Sequence, residues 1–188
     1  MRNIFIFCAG SREAQANFTK TILNPIPASV VMSSMTPDRR GDLEALHNRV
    51  GGFFAWAFRD TKYINERLKK MQLGDVFLGF FSHQYHALAQ VVAIEKNKAL
   101  GKAIWGEPPE FGAWNHVVFL TKPQKVGVLA SDLIPYLCKR YQGATRISDW
   151  RIDKIQMDFG SVEKFIEKRF GVSLDWIPAE LPIKRVRI

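Results

Sequence analysis

The sequence is poor in the residues that form disulfide frameworks and metal centres. Its 188 residues contain two cysteines, Cys8 and Cys138, and four scattered histidines. Two distant cysteines in such a chain are typical of buried free thiols. Neither lies in a zinc-ligand spacing, and His83 and His86 flank a predicted hairpin turn instead of sharing a helix face. We therefore predict no metal site and no cofactor.

Long apolar runs are also absent. No stretch approaches the roughly 20 residues that cross a bilayer, and the apolar start of the chain is too short and badly flanked for a signal peptide. We expect an intracellular, cytoplasmic protein. With 47% hydrophobic residues, the chain suits one globular domain over residues 1–188. Its core is predicted over about 3–160, followed by a C-terminal helix and a basic tail over 161–188.

The motifs of common enzyme classes are missing as well. Gly10 and Ser11 lack the companion glycines and the lysine of a phosphate-binding loop, and no G-x-S-x-G elbow occurs. The carboxylates of Asp42 and Glu44 lie close to Arg39, a pattern typical of a solvated surface. These absences favour a binding protein over an enzyme.

Acidic residues are in deficit. The chain has 18 Asp and Glu against 27 Lys and Arg, which gives a formal net charge of +9. A charge excess of this size bears on partners, not on the fold. Nucleic acid is the first partner it suggests and an anionic membrane surface is the second. A basic protein without a polyanionic partner remains the alternative.

The hydrophobic pattern predicts short strands interleaved with helices. Residues 25–41 and 102–116 are predicted to be irregular, and Asp60, Ser131 and Ser161 to cap helices. This order predicts an α+β fold, with about six strands in a curved mixed sheet or open barrel flanked by helices. The predicted strands are 3–10, 53–58, 76–81, 86–96, 116–120 and 152–157, and the predicted helices are 12–23, 42–49, 61–71, 132–141 and 162–170.

Tryptophans mark the segment KAIWGEPPEFGAWNH, residues 102–116. Trp105 and Trp114 flank its glycines and prolines. Large rings usually belong in a core, so core packing is one interpretation. The other is a cage, because flat π faces can sandwich a planar base or accept a methylated nitrogen. Trp56 is open to both interpretations, whereas Trp150, at the start of a predicted strand, and Trp176 are predicted to be structural.

The order of elements and tryptophans resembles the EVE and YTH branch of the PUA-like superfamily. The matching stretches span about residues 3–160 and are interrupted by a longer segment at 25–50; they are NIFIFCAGSREAQANFTKTI, FFAWAF, RLKKMQLGDVFLGFF and IWGEPPEFGAW. LGDVF is common across the superfamily, whereas Trp56 followed by two later tryptophans is more specific. Within this branch, the chain most resembles the N-terminal DNA-recognition domains of archaeal McrB proteins, which belong to modification-dependent restriction systems.

The resemblance implies an aromatic cage for a methylated base that is flipped out of the nucleic acid. Trp56 and Trp105 match the cage pattern best. Trp114 would form the third wall, with Phe111 as its competitor.

The resemblance also implies groups that read the base edge and the phosphates. The loop after the first strand would contact the base through Ala9, Gly10 and Ser11. YTH domains add an asparagine side chain, and here Ala14 stands at its approximate position with Asn17 one turn later. The basic residues expected to contact the nucleic-acid backbone are Arg12, Lys20, Arg39, Arg40, Arg59, Lys62, Lys69, Lys70 and Lys102.

The function implied is recognition of methylated DNA, with N6-methyladenine as the first expectation. A AAA+ GTPase motor domain in the full-length chain and a nuclease subunit would then supply the other activities. A YTH-type reader of methylated RNA is the alternative. Less favoured are a protein-assembly module and an ASCH-type enzyme, whose G-x-K-x-x-E-x-R signature is matched by Gly101, Lys102 and Glu107 only with the wrong spacing.

Overall fold

The structure is a computed structural model that describes residues 2–107, 113–137 and 143–174. The predictions made for Phe111, Cys138 and Trp176 lie outside these residues. Within them, no helix has the length and apolar character needed to cross a membrane.

Strands and helices are interspersed along the described chain. A π-helical turn, Thr19–Leu23, continues the first helix, and a 3-10 turn, Ala130–Leu133, follows the sixth strand. The strands are β1 (Ile4–Cys8), β2 (Phe54–Arg59), β3 (Val76–Phe81), β4 (Gln84–Lys96), β5 (Trp114–Leu120), β6 (Gln124–Leu129) and β7 (Ala144–Arg146). The helices are α1 (Arg12–Phe18), α2 (Ala28–Ser33), α3 (Pro37–Val50), α4 (Lys62–Leu68), α5 (Lys98–Trp105), α6 (Asp149–Phe159) and α7 (Val162–Phe170).

The strands form one open, mixed sheet in the order β2-β5-β4-β3-β1-β7, with β6 paired to β4. β1 and β3 are parallel and the other pairs are antiparallel. The long strand β4 pairs with β6 through its first part and with β5 through its last part. The predicted α+β class with an open mixed sheet is confirmed, with seven strands among the described residues instead of about six.

The two faces of the sheet bury separate apolar clusters. In β1, Ile4 and Ile6 contribute to the cluster that includes α6 and α7, whereas Phe5 and Phe7 contribute to the one that includes α1 and α4. The same alternation in β2 places Phe54, Trp56 and Phe58 in the α1 cluster, as period-two spacing predicts. A third cluster joins α2, α3 and α5 to the other side of β2, β4 and β5.

Helix α1 packs closely on the sheet because β3 carries a glycine beneath it. Ser11 begins the helix, its side-chain oxygen accepting a hydrogen bond from the Ala14 backbone N–H at 3.1 Å. Phe18 then lies over Gly79, where an added Cβ would come within 3.0 Å of the ring. The Phe18 ring meets the Trp56 ring edge-on at 6.0 Å. The position of Trp56 therefore depends on how closely α1 packs on the sheet.

Residues 25–41 are helical over most of their length, so the prediction of an irregular segment with a turn at 38–41 was wrong. Helix α2 occupies Ala28–Ser33, and α3 begins at Pro37 and buries Leu43 and Leu46. Proline is favoured in the first helical turn because its missing N–H has no partner there anyway. The proline and serine content of the segment thus marks helix starts, not a loop.

The prediction of an irregular segment at 102–116 was wrong at its two ends, 102–105 and 114–116; it is confirmed at 106–107 and 113, and its residues 108–112 lie outside the described chain. The prediction of a strand at 152–157 was wrong throughout. Helix α5 extends to Trp105, and its Asn97 cap and the four-residue spacing of Leu100 and Ile104 are helical signals. The predicted strand at 152–157 lies in α6, where Ile152 and Ile155 are three residues apart on the buried side.

The remaining corrections concern local signals. Ser131 lies inside the 3-10 turn and does not cap a long helix, because Ile134 before Pro135 adopts extended backbone. Thr61, not Asp60, caps α4 through its hydroxyl. Trp150 is 57% exposed in the first turn of α6, so it is not a buried strand residue. Ser161 caps α7 as predicted.

Gly101 permits the closest approach between a helix and the sheet. An added Cβ at this position would lie less than 3.0 Å from the backbone carbonyl of Trp114, which cannot swing away as a flexible side chain can. Gly41 in α3 is the opposite case, because nothing lies within 4 Å of an added Cβ.

We predict that Gly101→Ala lowers the free energy of unfolding by about 1–3 kcal/mol or more, because α5 must move off β5. Gly41→Ala should raise it by about 0.5–1 kcal/mol through reduced backbone entropy in the unfolded chain. Urea unfolding of both variants measures the difference. A Gly101→Ala variant as stable as Gly41→Ala would contradict this assignment.

Candidate functional site

Three of the five tryptophans converge on one surface pocket. Trp56 comes from β2 and is 9% exposed, while Trp105 ends α5 and Trp114 begins β5, both half-buried. The lining residues are Ala14, Asn17, Trp56, Ala57, Trp105 and Trp114. The three indoles and Asn17 share one site, as predicted from the sequence. No role was predicted for Ala14 and Ala57, whose small side chains leave the space between the rings.

The pocket lies beside β2, the terminal strand in the sheet order. Helix α1 belongs to the cluster on one side of β2 and α5 to the cluster on the other. Beside the last strand of a sheet, elements from both faces can meet. The pocket collects Asn17 from the first side and Trp105 from the second, and β2 itself supplies Trp56 and Ala57.

A bulge sets the position of Trp114. The β2–β5 register runs regularly from Phe54 opposite Leu120 to Phe58 opposite His116, then shifts so that Arg59 pairs with Trp114. The Arg59 guanidinium carbon lies over the Trp114 ring, 5.2 Å from its centroid. A cation over an indole face is attracted by the π electrons. The bulge therefore brings a positive charge to the rim of the pocket.

The pocket is narrow. Its cavity volume is about 30 Å³, far below the roughly 300–1,000 Å³ typical of pockets that hold small molecules. This space suits a few water molecules but not a nucleobase. A planar ligand would therefore enter only if one of the tryptophan walls moves outward.

The loop after β1 does not line this pocket. The Ala9 side chain is buried in the core, and its backbone N–H donates to the Phe80 carbonyl at 2.9 Å. Gly10 is exposed, and the Ser11 hydroxyl caps α1. By contrast, the Asn17 amide lines the pocket and has no hydrogen-bond partner among the described residues.

The predicted phosphate-contacting residues other than Arg59 fall into three groups. Arg39 belongs to the fold, because it is 12% exposed and forms ion pairs with Asp42 and with the buried Glu95. Other basic side chains are more accessible but already have a partner. Lys69 and Lys102 form ion pairs with Glu66 and Glu107. Arg40 and Lys20 donate hydrogen bonds to the backbone carbonyls of Met35 and Ile104. Arg12, Lys62 and Lys70 are exposed and form no ion pair with the described part of the chain.

A polar cluster that the sequence analysis missed lies next to Trp114. The Asp60 carboxylate accepts hydrogen bonds from the side-chain amides of Asn65 at 2.7 Å and Asn115 at 3.3 Å, and Lys96 pairs with it at 3.2 Å. These donors hold the pKa of Asp60 well below its usual range, the Asn65 hydrogen bond contributing most. The carboxylate therefore stays ionised at neutral pH and fixes the ends of β2, β4 and β5 together.

His116 is the buried member of this cluster. Its side chain is fully buried, its Nε2 lies 3.6 Å from Asp60 Oδ1, and neither ring nitrogen has a hydrogen-bond partner among the described residues. Burial lowers the pKa of His116 from its usual 6.5, although the Asp60 charge acts in the opposite direction. The imidazole is therefore neutral in the folded protein at neutral pH.

Comparison with known proteins bears on the fold. No protein-family model and no curated protein sequence matches the chain. Among solved structures, the N-terminal domain of Thermococcus gammatolerans McrB bound to m5C DNA matches with a TM-score of 0.59 at 16% identity, covering 85% of this chain and 98% of that chain. The chain has an EVE/YTH-like fold.

YTH domains among the solved structures give weaker matches. The YTH domain of a Zygosaccharomyces rouxii protein in complex with N6-methyladenosine RNA has a TM-score of 0.47 at 15% identity, covering 88% of this chain and 91% of that chain. At such identities the likeness concerns the fold. The predicted resemblance is confirmed at that level.

We predict that the protein loses stability as the pH falls below about 6.5, the ordinary pKa of histidine. The unfolded chain takes up a proton at His116 there, while the buried ring resists it, so protonation favours unfolding. His116→Leu should flatten this part of the pH profile without a large loss at neutral pH, since neither ring nitrogen is hydrogen-bonded. Urea unfolding over a pH series measures both; an unchanged slope in His116→Leu would contradict the prediction.

Proposed function

We propose that this chain is a nucleic-acid reader that accepts a methylated base in the pocket formed by Trp56, Trp105 and Trp114. The observation that carries the proposal is the convergence of three indoles from three separate elements on one surface cleft. Indoles needed only for the core would not have to meet at a cleft. Flat aromatic walls bind planar bases by stacking, whatever the base sequence around them.

The charge of the chain supports a nucleic-acid partner. The net charge of +9 favours association with phosphates. Arg59 lies at the pocket rim. Arg12 on α1 and Lys62 on α4 belong to helices of one apolar cluster, which also contains Trp56, and they form no ion pair within the described chain. Phosphate contacts from these side chains would hold the backbone while the base enters the pocket.

The fold supports a methylated target. The McrB domain that shares it is bound to m5C DNA. We propose DNA as the substrate, with N6-methyladenine as the first base to test and 5-methylcytosine as the second, and methylated RNA as the alternative. A motor of the AAA+ GTPase type and a nuclease subunit would act with the reader, as in the restriction systems that the chain resembles.

Insertion would begin with a flipped nucleotide. Taking a base out of a duplex costs a few kcal/mol, least where pairing is already weakened. Stacking against the indoles offsets this cost by about 1–3 kcal/mol per base. The free amide of Asn17 can then donate to and accept from the base edge, the pairing by which asparagine recognises adenine. The narrow space between Ala14 and Ala57 would favour one base shape over others.

We predict that Trp105→Ala abolishes discrimination between methylated and unmethylated duplexes and weakens binding of the methylated one about 5- to 150-fold, the equivalent of 1–3 kcal/mol. Trp150→Ala is the matched control, because the same side chain is lost from an exposed position on α6, outside the pocket. Fluorescence anisotropy at fixed ionic strength measures the affinities.

The same assay tests the proposal itself. Matched duplexes carrying N6-methyladenine, 5-methylcytosine or no modification are compared with the corresponding RNAs. Equal affinity of the wild-type protein for modified and unmodified forms of every probe would refute a methyl-base reader. A preference for RNA that depends on the 2′-hydroxyl would select the alternative substrate.

We predict that Lys62→Ala weakens binding to methylated and unmethylated DNA alike and reduces the slope of log affinity against log salt by about 1, as expected for one lost phosphate contact. Lys168→Ala on α7, whose helix packs on the other face of the sheet, is the control for charge alone. Identical salt slopes for Lys62→Ala and Lys168→Ala would show that Lys62 does not contact the nucleic-acid backbone.

A further inference from the structure

A hydrogen bond from Lys20 connects the two sides of the tryptophan pocket. The Lys20 ammonium donates a hydrogen bond to the backbone carbonyl of Ile104 at 2.7 Å. Lys20 lies three residues after Asn17, which lines the pocket from the α1 side. Ile104 directly precedes Trp105, the wall on the α5 side. The contact therefore joins backbone segments that carry opposite walls.

The local chemistry makes this contact a strong one. The last carbonyls of a helix have no partner within the helix and carry partial negative charge. Lys20 supplies a positive donor to one of these carbonyls in the last turn of α5. The Ile104 side chain is buried in the core and Gly106 ends the helix with φ +79°. Trp105 thus lies between the buried Ile104 and Gly106, where the helix ends. The Lys20 hydrogen bond restrains the backbone of this last turn and therefore the position of Trp105.

The same lysine is open to a ligand. Lys20 is exposed apart from its carbonyl contact. A phosphate oxygen carries a full charge, so its hydrogen bond to an ammonium is stronger than that of a neutral carbonyl. A nucleotide phosphate arriving next to the pocket would compete with Ile104 for Lys20. If the Lys20–Ile104 hydrogen bond is lost, the last turn of α5 is free to move and Trp105 can swing away from the pocket.

We infer that Lys20 is a positioning residue that holds Trp105 against α1 in the empty pocket and releases it when the ammonium transfers to a backbone phosphate. The pocket of about 30 Å³ is the state in which Lys20 holds Trp105 against α1. The widened state is the one that accepts a base. The positioning of Trp105 stands on the geometry alone, whereas the exchange with phosphate rests on the proposed function.

The positioning role can be tested without nucleic acid. The protein is labelled with 5-fluorotryptophan, and the resonance of Trp105 is assigned by its loss in Trp105→Phe. Lys20→Met should shift or broaden this resonance and raise its solvent exposure, while the Trp150 resonance stays unchanged. Lys20→Arg, which keeps a donor, should restore a spectrum close to the wild type. Lys62→Met removes an equal charge from an exposed lysine and should leave Trp105 unchanged.

The exchange is tested with duplexes that differ only in one methylated base. Lys20→Met should weaken both complexes and reduce the slope of log affinity against log salt by about 1, because the phosphate contact that Lys20 takes over in the complex is lost. Lys62→Met should reduce the salt slope by a similar amount but leave the Trp105 resonance unchanged.

The possible outcomes separate the two proposals. An unchanged Trp105 resonance in Lys20→Met overturns the positioning role whatever the binding data show. A shifted resonance together with an unchanged salt slope in Lys20→Met overturns the exchange with phosphate. If the wild-type protein binds no modified nucleic acid, the proposed function fails, while a shifted Trp105 resonance still supports the positioning role.

Discussion

The close approach of α5 to the backbone of β5 is the constraint on which the pocket depends. At Gly101 the helix comes so near the Trp114 carbonyl that no side chain fits between them. Trp105 lies one turn further along the same helix, and Trp114 is the residue approached. Both indoles therefore take their positions from a single backbone contact. The site is built on a helix and strand packed directly together, which gives it more precision than a free loop would.

The end of the sheet supplies the other half of the arrangement. Because β2 is terminal in the strand order, elements from both faces reach the same place beside it. Trp56 belongs at once to the pocket and to the apolar cluster with Phe18. The two interpretations of the tryptophans, core packing and ligand cage, are therefore not exclusive for this residue. Its buried face supports the fold while part of the ring faces the cleft.

Sequence patterns predicted the features that depend on local signals. The strand β1 and the hairpin of β3 and β4 follow from runs of apolar, β-branched and aromatic residues. The alternation in β2 follows from period-two spacing, and the Ser161 cap from a short-range hydrogen bond. The errors came where composition and pattern disagreed. Prolines and serines in 25–41 suggested a loop, yet Pro37 begins a helix, and β-branched isoleucines in α6 suggested a strand although their spacing is helical.

The site was predictable only in part, for a physical reason. The tryptophans could be grouped by resemblance because large aromatic residues are rare and conspicuous. Nothing in the sequence shows that Lys20 donates a hydrogen bond to a carbonyl 84 positions away. Nor does it show that Arg39 forms ion pairs with Asp42 and Glu95, or that His116 is buried beside Asp60. Such contacts arise only when distant segments pack, and charge counts treat all basic residues alike.

The narrowness of the pocket has a kinetic meaning. If only a fraction of molecules is open at any moment, the apparent dissociation constant exceeds the intrinsic one by the inverse of that fraction. Base capture would then be limited by the opening rate, so its observed rate would level off at high nucleic-acid concentration instead of rising without limit. Under the proposed function, a closed pocket would also keep the indole faces from stacking on any unpaired base between encounters.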